Sequence, residues 1–111
     1  MKLLVYVMNK VELQETFLVQ LKDRGIKGAT IIDSTGMGRV LAGNEDRDII
    51  GSLKFLFDNP RAESRTFLMA LEEEQVAIVM DIIDHVAGDL SRPNTGIVFT
   101  LPIDQIKGYK K

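Results

Sequence analysis

Few residues in this chain have the types and spacing to do chemistry. Gly36-Met37-Gly38-Arg39 sets two glycines beside a guanidinium, a turn able to aim bare backbone N–H groups at an anion with a cation alongside. Read alone, Gly-x-Gly is an ordinary turn in most chains. Arg61 and Arg65 are further cations that either face an anion or hold a loop in water. Glu45, Asp46 and Asp48 offer hard oxygen ligands but lack EF-hand spacing, and a solvated loop accounts for them better. His85 is the single histidine and there is no cysteine, so a soft metal site has no second ligand and no metal is expected. Ser34 and Thr35 have no histidine in their segment, and no phosphate loop of the Gly-x4-Gly-Lys type occurs. With no nucleophile and base to nominate, an enzyme is not expected.

Composition narrows the field further. The 111 residues suit one domain with a core of its own, and 45% hydrophobic with 27% charged residues suits a folded protein. Fourteen basic and 16 acidic side chains give a net charge of −2, which makes no field for nucleic acid. The apolar run Met1–Met8 is too short for a signal segment or a membrane span, so a cytoplasmic protein is expected.

The elements that must position these residues follow from periodicity. Lys2–Met8 reads as a strand, central or buried on both faces. Leu13, Phe17, Leu18 and Leu21 fall at helical spacing between Val11 and Arg24, with Asn9 before them as a cap and Gly25 after them as the C′ residue. Ala29–Asp33 is a second strand leading into the glycine turn. Val40–Ser64 is long for a connection, which marks it as a functional loop or excursion. Arg65–Leu71 is a third strand. Glu72-Glu73-Glu74 opens a helix whose buried face holds Val76, Val79, Met80, Ile83 and Val86, and Gly88 ends it. After the turn-rich loop Asp89–Gly96 comes a fourth strand, Ile97–Leu101. The plan is α+β: a ferredoxin-like βαββαβ sandwich over residues 1–111, with a four-stranded antiparallel sheet and two helices on one face. Its second sheet face, apolar through Val5, Val7, Leu68 and Met69, must then be covered, most simply by oligomerisation.

At this point the chain resembles the nitrogen regulatory P-II family of signal-transduction proteins. The matching pieces are Gly25, Gly28, Thr30, Gly36, Gly38 and Arg39, in register and ahead of a long loop. The Phe67–Leu71 strand, the helix to Val86, and Ile97–Leu101 followed by Pro-Ile-Asp-Gln-Ile extend the likeness over most of the chain. The resemblance implies a homotrimer with ATP or ADP, or another small anionic effector, in clefts between subunits. It also implies an enzyme or membrane transporter regulated through the 40–64 loop. Carried over residue by residue, Thr30 faces the adenine, and Gly36, Met37, Gly38 and Arg39 approach the phosphates. Lys107 or Lys110 stands where the family has phosphate-clamping arginines.

The chain also departs from that pattern. Val40 replaces a glutamine, Pro93-Asn94-Thr95-Gly96 replaces Gly-Asp-Gly-Lys, and no tyrosine lies between Val40 and Ser64 for covalent modification. The alternative is a trimeric, divalent-cation-binding protein of the CutA-like kind. A small enzyme using the cleft between subunits ranks last.

Overall fold

A computed structural model describes residues 1–37, 41 and 63–110. Strand β1 (Lys2–Met8) is followed by a 3-10 turn (Val11–Leu13) and helix α1 (Gln14–Asp23). Then come β2 (Thr30–Thr35), β3 (Glu63–Leu71), α2 (Glu73–Ala87) and β4 (Gly96–Pro102). The sheet order is β2-β3-β1-β4 with every neighbour antiparallel, so each βαβ half is split by a strand of the other. This is the ferredoxin-like α+β arrangement. Most of the Val40–Ser64 excursion lies outside the described residues.

Local chemistry explains most boundaries. Gly25 takes φ +84 just past α1, where its missing Cβ avoids left-handed strain. At the start of α2, Glu72 and Gln75 form a capping box, satisfying two backbone donors reciprocally, and Glu73 and Glu74 sit in the first turn at the positive end of the dipole. At the other helix, the cap position before the 3-10 turn falls on Lys10, not on Asn9. The pair β2 and β3 runs longer than the apolar pattern predicts, through Ser34 opposite Ser64 and Thr35 opposite Glu63. Polar residues that read as loop are held in the ladder there by cross-strand hydroxyl bonds from Ser34.

Side-chain alternation divides the sheet into two unlike faces. Leu4, Tyr6, Met8, Phe67, Met69 and Leu71 point toward the helices and meet Phe17, Leu21, Val79, Ile82 and Ile83 in one core. Met69 therefore belongs to the helix side and not to the second face, and Ile82 joins the buried stripe of α2. Tyr6, Phe17 and Phe67 form the centre, with ring centroids 5.2, 5.8 and 5.0 Å apart. The Tyr6 hydroxyl is buried there and finds no hydrogen-bond partner among the described residues.

Both helices lie on that side, so the other face is open among the described residues. Across it run Leu3 beside Ala70 and Leu101, Val5 beside Leu68 and Phe99, and Val7 beside Thr66 and Ile97. Strand β2 adds Thr30, Ile32 and Ser34. None of these positions carries a charge, and Ile32, Ile97, Phe99 and Leu101 are exposed.

The end of β1 is fastened to β4 by backbone. Gly96 has φ +133, and a Cβ at this position would run into the Val7 carbonyl oxygen. Thr95 is buried just before it, and its hydroxyl donates to the carbonyls of Leu90 and Arg92 at 3.0 and 2.8 Å. Gly96→Ala therefore loses about 3 kcal/mol of stability, from strain and the clash together, read from the urea midpoint.

Burial also pushes the Tyr6 hydroxyl up to about 12. The unfolded chain releases this proton near about pH 10, so the folded state holds it longer and its stabilising effect is lost as pH rises from there, by about 3 kcal/mol in all. Tyr6→Phe removes that alkaline loss and leaves neutral-pH stability unchanged or up to about 1 kcal/mol higher, because an orphaned hydroxyl is deleted. Urea unfolding at neutral and alkaline pH checks both halves.

Candidate functional site

The chain turns sharply between α1 and β2, and that turn forms one wall of an open cleft of about 870 Å³. Gly25 through Thr30 line this wall, and Leu68, Ala70 and Leu71 of β3 form an apolar floor. The start of α2 contributes Glu72, Glu74 and Gln75, and the C-terminal tail contributes Gly108, Tyr109 and Lys110. A smaller apolar groove of about 600 Å³, reached by Leu18, Leu21 and Lys22, adjoins it at Ile26–Ala29.

Its charges come from Lys27 and Lys110 against Glu72 and Glu74. The Glu72 carboxylate already accepts from the α2 backbone in the capping box, and Gln75 accepts the Glu72 N–H at 2.9 Å. Glu74, the other lining carboxylate, takes no part in that capping box. An aromatic ring, two ammonium groups, a threonine hydroxyl and an apolar floor make a surface suited to a flat, partly apolar ligand with an anionic end.

Of the residues singled out from sequence, Thr30 and Lys110 meet in this cleft. Lys107 is exposed but does not line it. Gly36 and Met37 follow the far end of β2, about 20 Å from Thr30 at strand rise, and Met37 is 78% exposed. A ligand reaching both groups would have to lie along β2. Gly38 and Arg39 lie outside the described residues, as does Arg61.

Two expectations about single residues change. Gly36 is not in the left-handed region and has open space where a Cβ would go, so no demand for glycine shows at this position. Arg65 is not free to seek an anion: its Nε lies 3.2 Å from Asp33 and its Nη1 3.4 Å from Glu63, bridging the two strands that lead to the excursion.

His85 has a structural part on the outer face of α2. Its Nδ1 donates to the Asp81 carbonyl at 2.8 Å, and Asp81 also accepts from Arg24 at the end of α1, again at 2.8 Å. That bond from Arg24 holds the Asp81 carboxyl below the usual carboxylate range. Among the described residues no group of three or more His, Asp or Glu side chains is placed to hold a metal ion, and no helix is long and apolar enough to cross a membrane.

The Pro93–Gly96 loop is likewise built for packing. Asn94 adopts φ 63, Thr95 is buried, and the Asn9 N–H donates to the Thr95 carbonyl at 3.3 Å. Sequence reasoning missed Lys27, Tyr109 and the floor residues Leu68 and Ala70. Nothing in their spacing sets them apart, because the fold alone brings the α1–β2 turn, β3 and the tail together.

Neither protein-family models nor curated proteins match this chain.

Gly36→Ala changes stability by less than about 0.5 kcal/mol, the range of an unstrained surface substitution. A loss above about 1 kcal/mol in urea unfolding would show that the turn needs glycine after all.

Proposed function

We propose that this chain is a P-II-like signalling protein, a homotrimer that binds a small anionic effector and regulates a partner protein. The reading joins the resemblance in sequence to one observation: a single cleft gathers Thr30 and Lys110, far apart in the chain, with Tyr109 and Lys27 beside them. The effector is an adenine nucleotide, ATP or ADP. Its base lies over Leu68 and Ala70 within reach of Thr30, and its phosphates pair with Lys27 and Lys110. Lysine meets phosphate as a point charge and not as a bidentate fork, so each contact tolerates variation in phosphate position.

Self-association is the other half of the proposal. An uncharged face carrying Phe99, Leu101, Ile97 and Ile32 is costly to leave in water, and packing copies against one another removes it. Such packing also brings the cleft, which opens at the edge of the sheet, close to a neighbouring subunit. The segment 40–64, whose flanking strands are joined by the Asp33–Arg65 ion pair and the Ser34–Ser64 hydroxyl contact, is the part through which an enzyme or membrane transporter is regulated.

Calorimetric titration with ATP and ADP tests the nucleotide reading. Stoichiometric binding is expected, weakened about tenfold in Lys27→Ala and in Lys110→Ala, because each removes one charge-assisted contact worth about 1.4 kcal/mol or more. No heat with either nucleotide, or binding that both variants leave unchanged, would contradict it.

A further inference from the structure

The groove that adjoins the cleft has no part in holding the nucleotide proposed above. It lies between the last turns of α1 and the segment that leaves that helix. Its volume of about 600 Å³ is within the range of small-molecule sites, about 300–1,000 Å³. A local turn shapes it. Gly25 takes the chain out of α1, and the Ile26 N–H donates to the Leu21 carbonyl at 2.8 Å, which sets Ile26 against the helix. Residues 26–29 form neither helix nor strand before β2 begins at Thr30. Leu18, Leu21 and Ile26 make the groove apolar.

Charge and continuity say what it takes. Lys22 and Lys27 are its charged lining residues among those described, and no carboxylate lines it, whereas the cleft sets two glutamates against two lysines. An occupant of the groove is therefore apolar along its length and anionic where it reaches the lysines. The groove is also continuous with the cleft. Ile26, Lys27, Gly28 and Ala29 line both cavities, so Lys27 stands at their common border. Gly28 leaves that border low: its φ is not in the left-handed region, and a Cβ there would meet no atom within 4 Å.

We infer that the groove takes a hydrocarbon chain carried on the phosphate of the nucleotide. The full ligand is then an adenosine phosphate ester with an apolar tail. The inference rests on the nucleotide reading proposed above. Lys27 pairs with the phosphate at the border, the base stays over Leu68 and Ala70, and the tail enters between Leu18, Leu21 and Ile26. A free fatty carboxylate would fill the groove and leave the cleft unused. A plain nucleotide would fill the cleft and leave the apolar groove in water. One ligand that crosses the shared wall uses both.

Titration calorimetry with ADP and with its ethyl, butyl and octyl esters on the β-phosphate tests this. The three esters carry equal charge, so the series reads the tail alone. Each methylene that leaves water raises affinity up to about fourfold, and the octyl ester is expected to bind at least about thirtyfold tighter than the ethyl ester. Leu18 lines the groove and not the cleft, so Leu18→Gln is expected to bind ADP as the wild type does and to lose most of that gain. An octyl ester no tighter than the ethyl one, or a gain that Leu18→Gln leaves whole, would overturn the inference while ADP binding stands. Silence from ADP and from every ester would instead overturn the nucleotide reading, and the inference with it. Where circular dichroism shows Leu18→Gln to be unfolded, Gly28→Leu takes its place. The octyl ester is then expected to lose more affinity than ADP, and an equal loss would overturn the inference.

Discussion

A four-stranded sheet with both helices on one face leaves a second face that either meets water or is covered. In this chain that asymmetry organises nearly everything else. The charged residues of the strands, Lys2, Asp33, Glu63 and Arg65, all fall on the helix side, and the opposite side has none. A sheet face meant for solvent alternates to polar residues. This one keeps aliphatic and aromatic side chains even on its edge strands, where exposure is greatest. Thr30 and the hydroxyls of Ser34, Ser64 and Thr66 are its polar positions, and the rest is apolar.

The core that holds the sheet lies behind that face. The Tyr6, Phe17 and Phe67 rings tie β1 and β3 to α1, with Val79, Ile82 and Ile83 closing the core from α2. At one end of β1 the Thr95–Gly96 backbone grips Val7 so closely that a side chain has no room. At the other, the Ile103 N–H donates to the Met1 carbonyl at 3.2 Å as the tail turns toward the cleft. The same tail that completes the cleft is thus anchored by the strand ends. Fold and candidate site share their fastening points.

Most of the fold was legible in the sequence. The Lys2–Met8 run, the glycines at 25 and 88, and the period of α2 each express one local cause: burial, left-handed backbone, or one buried helix face. What periodicity hid was set by tertiary contact. The extension of β2 to Thr35 depends on hydroxyl bonds to a strand distant in sequence, and the side of the sheet taken by Met69 depends on a register that a continuous apolar run does not reveal. Gly36 drew notice as half of a Gly-x-Gly turn, yet its backbone is ordinary. The cleft was half legible: Thr30 and Lys110 were singled out through a resemblance, whereas Lys27 and Tyr109 reach it only because the fold brings the α1–β2 turn and the tail together beside β3.

The most direct test of this account is the mass in solution of the wild type and of Phe99→Glu, measured by light scattering after size exclusion. Phe99 sits on an edge strand and is 42% exposed, so a charge there is compatible with the fold but not with burial between copies. The account predicts a trimeric wild type and a folded, monomeric Phe99→Glu. A monomeric wild type, or a variant that remains trimeric, would contradict it.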